Sequence, residues 1–285
     1  MARTRVLLGM ALVGGFLALL AVDALVSGGP LLHVLVAVAM AWGMVEFYAL
    51  AERGGARPLK ALPAALAVLF VAGDLAVRLS DGRLIEGWLG YDPSDLARFY
   101  TPMGLATVLA LLVIAVAHAL GRDPREWLRD APVTALGLFY MWFLGSHLLA
   151  IDAYGTDYLL TFIAAAKLGD AGAWFVGRTW GRHKLAPRIS PKKTIEGALG
   201  GLGASVATTL VVAGLFGLGG FGFWVLFGLL VGATAQLGDL VESALKRSAD
   251  VKDSSALMPQ FGGVLDVVDS LIVSGPVAFW LLVLR

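Results

Sequence analysis

Residues 238–270 read GDLVESALKRSADVKDSSALMPQFGGVLDVVDS, with six acidic and three basic side chains in one short stretch. Segments apolar enough to cross a bilayer lie on both sides of it. Charge is costly inside a membrane, so a dense group of ionisable side chains beside such segments indicates a functional site. We therefore expect the chemistry of this protein to be centred on this stretch.

The acidic residues of this stretch recur at helical spacing. Asp239 and Glu242 are three residues apart and Lys246 follows four residues later, while Asp266 and Asp269 are again three apart. Residues three or four apart share a helix face, so the pattern predicts two acidic helix faces joined by a loop. Clustered carboxylates suit hard cations such as Mg²⁺, and the neighbouring lysines suit phosphate; soft metals prefer other ligands.

The composition indicates a membrane protein. Hydrophobic residues make up 58% of the chain and charged residues 15%, with a mean hydropathy of +0.80. A helix needs about 20 apolar residues to cross the hydrocarbon core. The sequence thus predicts an all-α, polytopic integral membrane protein with nine transmembrane helices. They lie near residues 5–26, 31–52, 59–79, 102–120, 131–151, 158–177, 196–216, 221–245 and 264–284. The first apolar run is too long for a cleaved signal peptide.

The distribution of Lys and Arg predicts the orientation. If the N-terminus is inside, the inner segments hold 17 of the 22 basic residues, the outer ones hold Arg78, Arg83, Arg98 and Arg285, and Lys167 lies within a span. The positive-inside rule then places the N-terminus in the cytoplasm and the C-terminus outside. Both charged loops, 178–195 and 246–262, would face the cytoplasm, where nucleotides are found. We expect a multi-pass protein of the cell membrane.

The remaining composition narrows the function classes. The chain has no cysteine, which excludes disulfides, thiolate ligands and a cysteine nucleophile. Its 36 glycines lie mostly within predicted spans, where helix packing is their expected role. The density of charged residues rises after residue 151. We therefore divide one continuous membrane domain into a scaffold, 1–151, and a catalytic region, 152–285. We interpret the isolated acidic residues Asp23, Glu46 and Asp74 as polar contacts between helices or at the membrane interface.

A second cluster covers residues 167–197, KLGDAGAWFVGRTWGRHKLAPRISPKKTIEG. One interpretation is a basic loop that contacts anionic lipid headgroups. Two features favour a phosphate site instead. The segment Ser190–Thr194 resembles a helix start with a hydroxyl cap and an early proline, and free helix amides beside two lysines bind phosphate. In addition, Lys167 and Asp170 lie inside the predicted span, where a lipid anchor does not need them.

Simpler explanations exist for each pair in the C-terminal cluster. Asp239 or Glu242 with Lys246 could form ordinary helix ion pairs, worth a few tenths of a kcal/mol when exposed. Asp266 and Asp269 could merely begin the last helix, where acidic side chains favour the helix dipole. These explanations suffice for single pairs, but the combination favours a functional site.

The C-terminal stretch also resembles a known family. Ser243-Ala244-Leu245-Lys246-Arg247, Lys252-Asp253 after four residues, then Pro259, Gly262-Gly263 and Asp266-x-x-Asp269 are similar to the signature of phosphatidate cytidylyltransferases, the CDP-diacylglycerol synthases. The segments 170–177 and 190–197 resemble upstream motifs of that family, so the resemblance covers about residues 165–275. It implies a polytopic enzyme that moves CMP from CTP onto phosphatidate and releases pyrophosphate.

Two positions depart from that signature. The family usually has His before the paired glycines, where this chain has Phe261, and Arg after the first paired aspartate, where this chain has Val267. The first change removes a phosphate donor or acid–base group. The second removes a fixed positive charge.

The pattern and the resemblance together predict the site residues. Metal ligands for Mg²⁺ are Asp239, Asp266, Asp269 and Asp170, and converging carboxylates leave room for a second cation such as K⁺. Catalytic candidates are Lys246, Arg247, Lys252 and Asp253. Nucleotide or phosphate contacts are Ser190, Lys192, Lys193 and Thr194. The expected partners are CTP, phosphatidate or a related lipid phosphate, membrane lipids and a second copy in a homodimer, with no nucleic acid.

Two other functions fit parts of this pattern. A CTP-dependent lipid kinase would use similar metal and nucleotide groups but would transfer the γ-phosphoryl group to an alcohol. An ion-coupled transporter would carry acidic residues near the membrane midplane, often with inverted repeats and broken helices. The sequence shows no such repeat, and its charges cluster towards one membrane face.

Overall fold

A computed structural model describes residues 14–16, 18–20, 22–23, 30–66, 68–69, 96–255 and 262–285. The described residues are mostly helical. The longer helices are α1 (Pro30–Arg53), α2 (Leu96–Gly121), α3 (Trp127–Leu138), α4 (His147–Asp152), α5 (Thr156–Trp180), α6 (Ile195–Leu215), α7 (Phe221–Ser248) and α8 (Val264–Val283). A 3₁₀ turn, Pro124–Glu126, precedes α3, and one π-helical turn, Phe139–Phe143, follows it.

Six segments of the described chain are long and apolar enough to cross a membrane. They are Leu31–Arg53, Pro124–Asp152, Thr156–Trp180, Ile195–Leu215, Phe221–Ser248 and Val264–Val283, and Ala106–Gly121 is a shorter apolar helix. These segments confirm a helical, multi-pass membrane protein. Most of the predicted span near 5–26 and about half of that near 59–79 lie outside the described residues, so the count of nine stays a prediction.

The chain forms two compact units. One contains Met1–Val45 and Ala56–Phe139, and the other contains Glu46–Gly55 and Tyr140–Arg285. In the first unit, Asp23 accepts hydrogen bonds from the amides of Leu31 and Leu32 at the start of α1. The expected polar contact of Asp23 is thereby confirmed. Asp74 lies outside the described residues, and the second unit contains both charged clusters.

Glycines bring the helices of the second unit close together. A Cβ atom on Gly201 of α6 would lie 2.8 Å from the Cβ of Ala173 on α5. A Cβ on Gly232 of α7 would lie equally close, 2.8 Å, to the Cβ of Ser205 on α6. The predicted packing role is confirmed at these positions, whereas a Cβ on Gly203 would meet no described atom within 4 Å. Small residues therefore set the spacing of α5, α6 and α7.

Helices α7 and α8 approach closely beside their acidic residues. A Cβ on Gly238 would lie 2.6 Å from the carbonyl oxygen of Asp269. Only glycine permits this separation, and the next residue after it is Asp239. The close approach thus places carboxylates from two helices beside each other.

The segment before α6 differs from the predicted helix start. Ser190–Thr194 forms strand β2, which pairs antiparallel with β1 (Lys184–Ala186). The cap of α6 is Thr194, whose Oγ1 accepts a hydrogen bond of 3.1 Å from the amide of Gly197. Pro191 is tolerated because each strand of a two-stranded hairpin has an open edge. The predicted hydroxyl cap is therefore confirmed at Thr194, and the helix begins at Ile195. The prediction of a proline in its first turn was wrong, because Pro191 lies in β2.

Candidate active site

Three carboxylates from α7 and α8 form the centre of the site. Asp239, Glu242 and Asp269 each place one oxygen within 4.8 Å of the others. Glu242 is only 1% exposed, and its Oε1 has no hydrogen-bond partner among the described residues. A buried, unpartnered carboxylate oxygen is unfavourable unless a cation or proton compensates it. This oxygen-only set fits a hard cation such as Mg²⁺.

Asp266 has different partners from Asp269, although the sequence predicted a shared metal role. Its Oδ2 accepts hydrogen bonds from the amide (2.9 Å) and hydroxyl (2.7 Å) of Ser254 and from the amide of Gly263 (2.7 Å). Its Oδ1 accepts a hydrogen bond from Lys246 at 2.6 Å. Asp266 therefore holds the preceding loop against the start of α8, and its metal-binding role stays a prediction.

Lys246 connects this loop anchor to the acidic cluster. Its ammonium group lies 2.5 Å from Glu242 and 2.6 Å from Asp266. All three side chains are largely buried. Lys246 is consequently held between two carboxylates, and a direct contact with phosphate would require a rearrangement of this pairing.

A cavity of about 480 Å³ opens beside the cluster. The polar and aromatic side chains that line it come from α5, the hairpin and α7. They are Asp170, Trp174, Arg178, Lys192, Lys193, Thr194, Gln236 and Asp239. The predicted Lys192, Lys193, Thr194 and Asp170 therefore share one cavity with Asp239, whereas Ser190 is not among its lining residues in the described chain.

The cavity combines positive charge with an accessible aromatic ring. Lys193 forms an ion pair of 2.7 Å with Asp239, and Lys192 is exposed. The Arg178 guanidinium lies 5.3 Å from the ring centroid of Trp174, which is 64% exposed. Cationic groups suit phosphates, and an exposed indole offers a face on which a base can stack. The cavity thus fits a nucleotide, and the shared residue Asp239 places the acidic cluster beside it.

The other predicted catalytic residues lie in the loop after α7. Arg247 donates to the backbone oxygens of Val251 at 2.9 Å and Ile189 at 3.4 Å, which links this loop to the hairpin. Lys252 and Asp253 are exposed. Among the described residues none of these three lines the cavity, so their catalytic roles stay predictions. Phe261 lies outside the described residues.

Glu46 is a site residue that the sequence pattern did not identify. The expected polar contact of Glu46 with another helix is confirmed, but the sequence did not predict that its partners would lie at and just before the start of α8. Its carboxylate accepts hydrogen bonds from the hydroxyls of Ser254 (3.0 Å) and Ser255 (2.7 Å). It also accepts from the amides of Val264 (3.1 Å) and Leu265 (2.8 Å). No local signal could place it there, because more than 200 residues separate the partners.

Carboxylates outnumber ammonium groups at the acidic cluster, if the cations Arg178 and Lys192 that also line the cavity are left out of the count. Five carboxylates, Asp170, Asp239, Glu242, Asp266 and Asp269, lie with three ammonium groups, Lys167, Lys193 and Lys246. If all eight are ionised, two negative charges remain, and a divalent cation would neutralise them. Lys167 donates to the carbonyl oxygen of Val267 and the hydroxyl of Ser270.

Known proteins resemble this sequence over lengths that range from about half of the chain to nearly all of it. The chain is 31% identical over 284 residues to the phosphatidate cytidylyltransferase of Synechocystis sp., covering 93% of this chain and 92% of that protein. For the enzyme of the same name from Staphylococcus saprophyticus, identity is 33% over 193 residues, 67% of this chain and 74% of that protein. For the enzyme of the same name from Bacillus subtilis, identity is 39% over 154 residues. That alignment covers 52% of this chain and 55% of that protein, about half of each. Residues 3–284 match the cytidylyltransferase family, and the chain therefore belongs to that family.

Proposed function

We propose that this protein transfers a cytidylyl group from CTP to phosphatidate, producing CDP-diacylglycerol and pyrophosphate at the cytoplasmic face of the membrane. The observation that carries this proposal is the shared position of Asp239, which belongs both to the acidic cluster and to the basic cavity. A nucleotide triphosphate in that cavity would place its phosphates beside carboxylates that suit a cation. Apolar helices around the site suit the acyl chains of the second substrate.

We infer that Mg²⁺ is held by Asp239 and Asp269, as the sequence predicts, together with Glu242. The partnerless Oε1 of Glu242 and the convergence of three carboxylates support this choice. Asp170 and Asp266 are the further predicted ligands, and they leave a place for a second cation such as K⁺. When bound, a divalent cation neutralises phosphate oxygens and orients them.

The chemistry needs no nucleophile from the protein. A phosphate oxygen of the lipid attacks the α-phosphorus of CTP and forms the new P–O bond. The bond from the α-phosphorus to the bridging oxygen breaks, and pyrophosphate leaves with that electron pair. Lys192, Lys193 and Arg178 neutralise the triphosphate, and Trp174 orients the base. Positioning and charge neutralisation are the main contributions that phosphoryl-type transfer requires.

The proposed topology follows from the charge distribution. Nine spans with a cytoplasmic N-terminus would put residues 178–195 and 246–262 on the side where CTP is present. We propose residues 1–151 as a scaffold and residues 152–285 as the catalytic region of a cell-membrane protein that forms a homodimer. The hairpin and the loop after α7 meet through Arg247, which supports their common side of the membrane.

Labelled CTP tests the reaction directly. Purified protein in detergent is incubated with phosphatidate and either α-labelled or γ-labelled CTP, and the lipid fraction is counted. We expect label in lipid only from the α position. Label from the γ position, with diacylglycerol as acceptor, would instead show a CTP-dependent lipid kinase, the alternative that the departures at Phe261 and Val267 leave open. A matched preparation with Asp269→Asn controls for contaminating activity.

A further inference from the structure

Lys167 is a cation placed inside an apolar helix. It lies near the middle of α5, within the candidate span Thr156–Trp180. A lysine in such a segment is unfavourable unless it has polar partners, and it then indicates a functional position. Its ammonium group donates to the carbonyl oxygen of Val267 at 2.5 Å and to the hydroxyl of Ser270 at 2.8 Å. The side chain thus joins α5 to the first turns of α8.

The same ammonium group lies in the field of two carboxylates. Lys167 interacts electrostatically with Asp170, three residues later on α5, and with Asp269 on α8. Asp269 belongs to the acidic cluster, and Asp170 lines the cavity. The other two ammonium groups form ion pairs with different carboxylates. Lys193 pairs with Asp239, and Lys246 pairs with Glu242 and Asp266. Lys193 also interacts electrostatically with Asp170, whereas Lys167 interacts with both Asp170 and Asp269.

The position of Val267 adds a second observation. Here the chain has an apolar side chain where the related signature has arginine, and Lys167 binds the backbone of that same residue. Val267 and Ser270 are three residues apart and share one face of α8. An arginine at position 267 would begin on the face that Lys167 contacts, and Val267 is only partly buried, so a longer side chain has room.

We propose that Lys167 is a positioning residue that supplies, from α5, the fixed positive charge absent at Val267. It balances Asp170 and Asp269 and holds the first turns of α8 against α5 before a nucleotide binds. Any effect on turnover rests on the proposed function. The charge balance does not, because it can be measured in the protein alone.

The test separates the charge of Lys167 from its hydrogen bond. Lys167→Gln retains an N–H donor but loses the charge, and a double variant adds Val267→Arg. The thermal midpoint of each detergent-solubilised protein is measured in EDTA and again with Mg²⁺. Lys184→Gln, an exposed change on β1, is the control. We expect Lys167→Gln to lower the midpoint in EDTA by about 3–6 °C and the double variant to recover at least half of this.

Magnesium provides a second readout, because a more negative site gains more from a bound divalent cation. The rise in midpoint on addition of Mg²⁺ should be larger in Lys167→Gln than in the wild type, and the double variant should return to the wild-type rise. If Lys167→Gln lowers the midpoint equally with and without Mg²⁺, and the double variant does not recover it, the charge role is wrong. Lys167 then contributes only a hydrogen bond between α5 and α8. If Lys167→Gln does not fold, Lys167→Arg decides: a midpoint within about 1 °C of the wild type supports the charge role, and a loss of several degrees overturns it.

The two proposals fail in distinguishable ways. A wild type that transfers no α-label into lipid, with recovery by Val267→Arg intact, would overturn the transferase function and leave the role of Lys167 standing. Normal transfer of α-label into lipid without recovery by Val267→Arg would overturn the role of Lys167 and leave the transferase function standing.

Discussion

The carboxylate of Glu46 accepts a hydrogen bond of 2.8 Å from the amide of Leu265, which lies 219 positions further along the chain. The amide of Val264 donates to the same carboxylate, so Glu46 compensates two free amides in the first turn of α8. An anion is stabilised at this end of a helix. The last turns of α1 are thereby connected to the helix that carries Asp269.

Replacing Glu46 should destabilise the protein. Glu46 is 4% exposed and accepts hydrogen bonds from four donors. Glu46→Gln puts an N–H₂ group where only acceptors fit, so we expect a loss of about 2–4 kcal/mol of unfolding free energy. Thermal melting in detergent measures it, with the exposed Glu52→Gln on the same helix as the control. Similar midpoints for the two variants would contradict the anchoring role of Glu46.

Asp269→Asn and Asp266→Asn should differ in stability although both reduce activity. Asp269 faces other carboxylates, so its neutralisation in the absence of metal should leave the melting midpoint unchanged or raised. Transfer from CTP should fall about 100-fold or more, because a metal ligand is lost. Asp266→Asn removes the charge that Lys246 and the amides of Ser254 and Gly263 contact, so it should also melt earlier.

Melting in EDTA and transfer assays over a range of Mg²⁺ concentrations distinguish these two variants. Equal destabilisation by both variants would contradict the separate roles of Asp266 as a loop anchor and Asp269 as a metal ligand. Full activity of Asp269→Asn at limiting Mg²⁺ would remove Asp269 from the metal site.

Lys193→Met should weaken CTP binding more than it affects folding. The ammonium group of Lys193 pairs with Asp239 and lines the cavity, and its loss removes charge neutralisation from the triphosphate. We expect the KM for CTP to rise about tenfold, which is about 1.4 kcal/mol. Lys184→Met, on the neighbouring strand and exposed, is the matched control and should leave KM unchanged. Equal KM values for the two variants would place the triphosphate elsewhere.

Two glycines of α6 provide a paired test of helix packing. Gly201→Ala would place a methyl group 2.8 Å from the Cβ of Ala173, whereas Gly203→Ala would meet no described atom within 4 Å. We expect Gly201→Ala to lose about 1–3 kcal/mol of stability by overpacking. Gly203→Ala should be neutral or stabilised by up to about 1 kcal/mol, because alanine favours a helix. Chemical or thermal denaturation compares them, and a reversed order would contradict the described α5–α6 contact.

Cysteine labelling tests the proposed orientation. Because the chain has no native cysteine, Lys184→Cys gives a single reactive site on the hairpin. An impermeant maleimide should label it in inside-out vesicles and should fail to label it in intact cells. A cysteine added after Arg285 should show the opposite pattern. Labelling of position 184 from outside would reverse the orientation and remove the site from cytoplasmic CTP.

The sequence by itself determined the features that depend on local order. Long apolar runs specify membrane helices because each helix satisfies its own backbone hydrogen bonds in lipid. The spacing of Asp239, Glu242 and Lys246 is read along a single helix, so their common face followed from periodicity. The family resemblance, confirmed by the comparisons, rests on the same continuous stretch. Lys192 and Lys193 were identified for a related reason, as adjacent charges beside the start of a helix.

The tertiary structure alone decided which distant groups meet. Lys167 reaches Val267 across 100 positions and Glu46 reaches Ser254 across 208, and no periodic pattern spans such distances. The close approach of α7 and α8 at Gly238 likewise depends on the shapes of both helices. The same packing gave Asp266 and Asp269 different partners, although their spacing suggested a common role. Side-chain partners across helices are a property of the packed fold, because the free energy of each contact depends on the surface that the other helix presents.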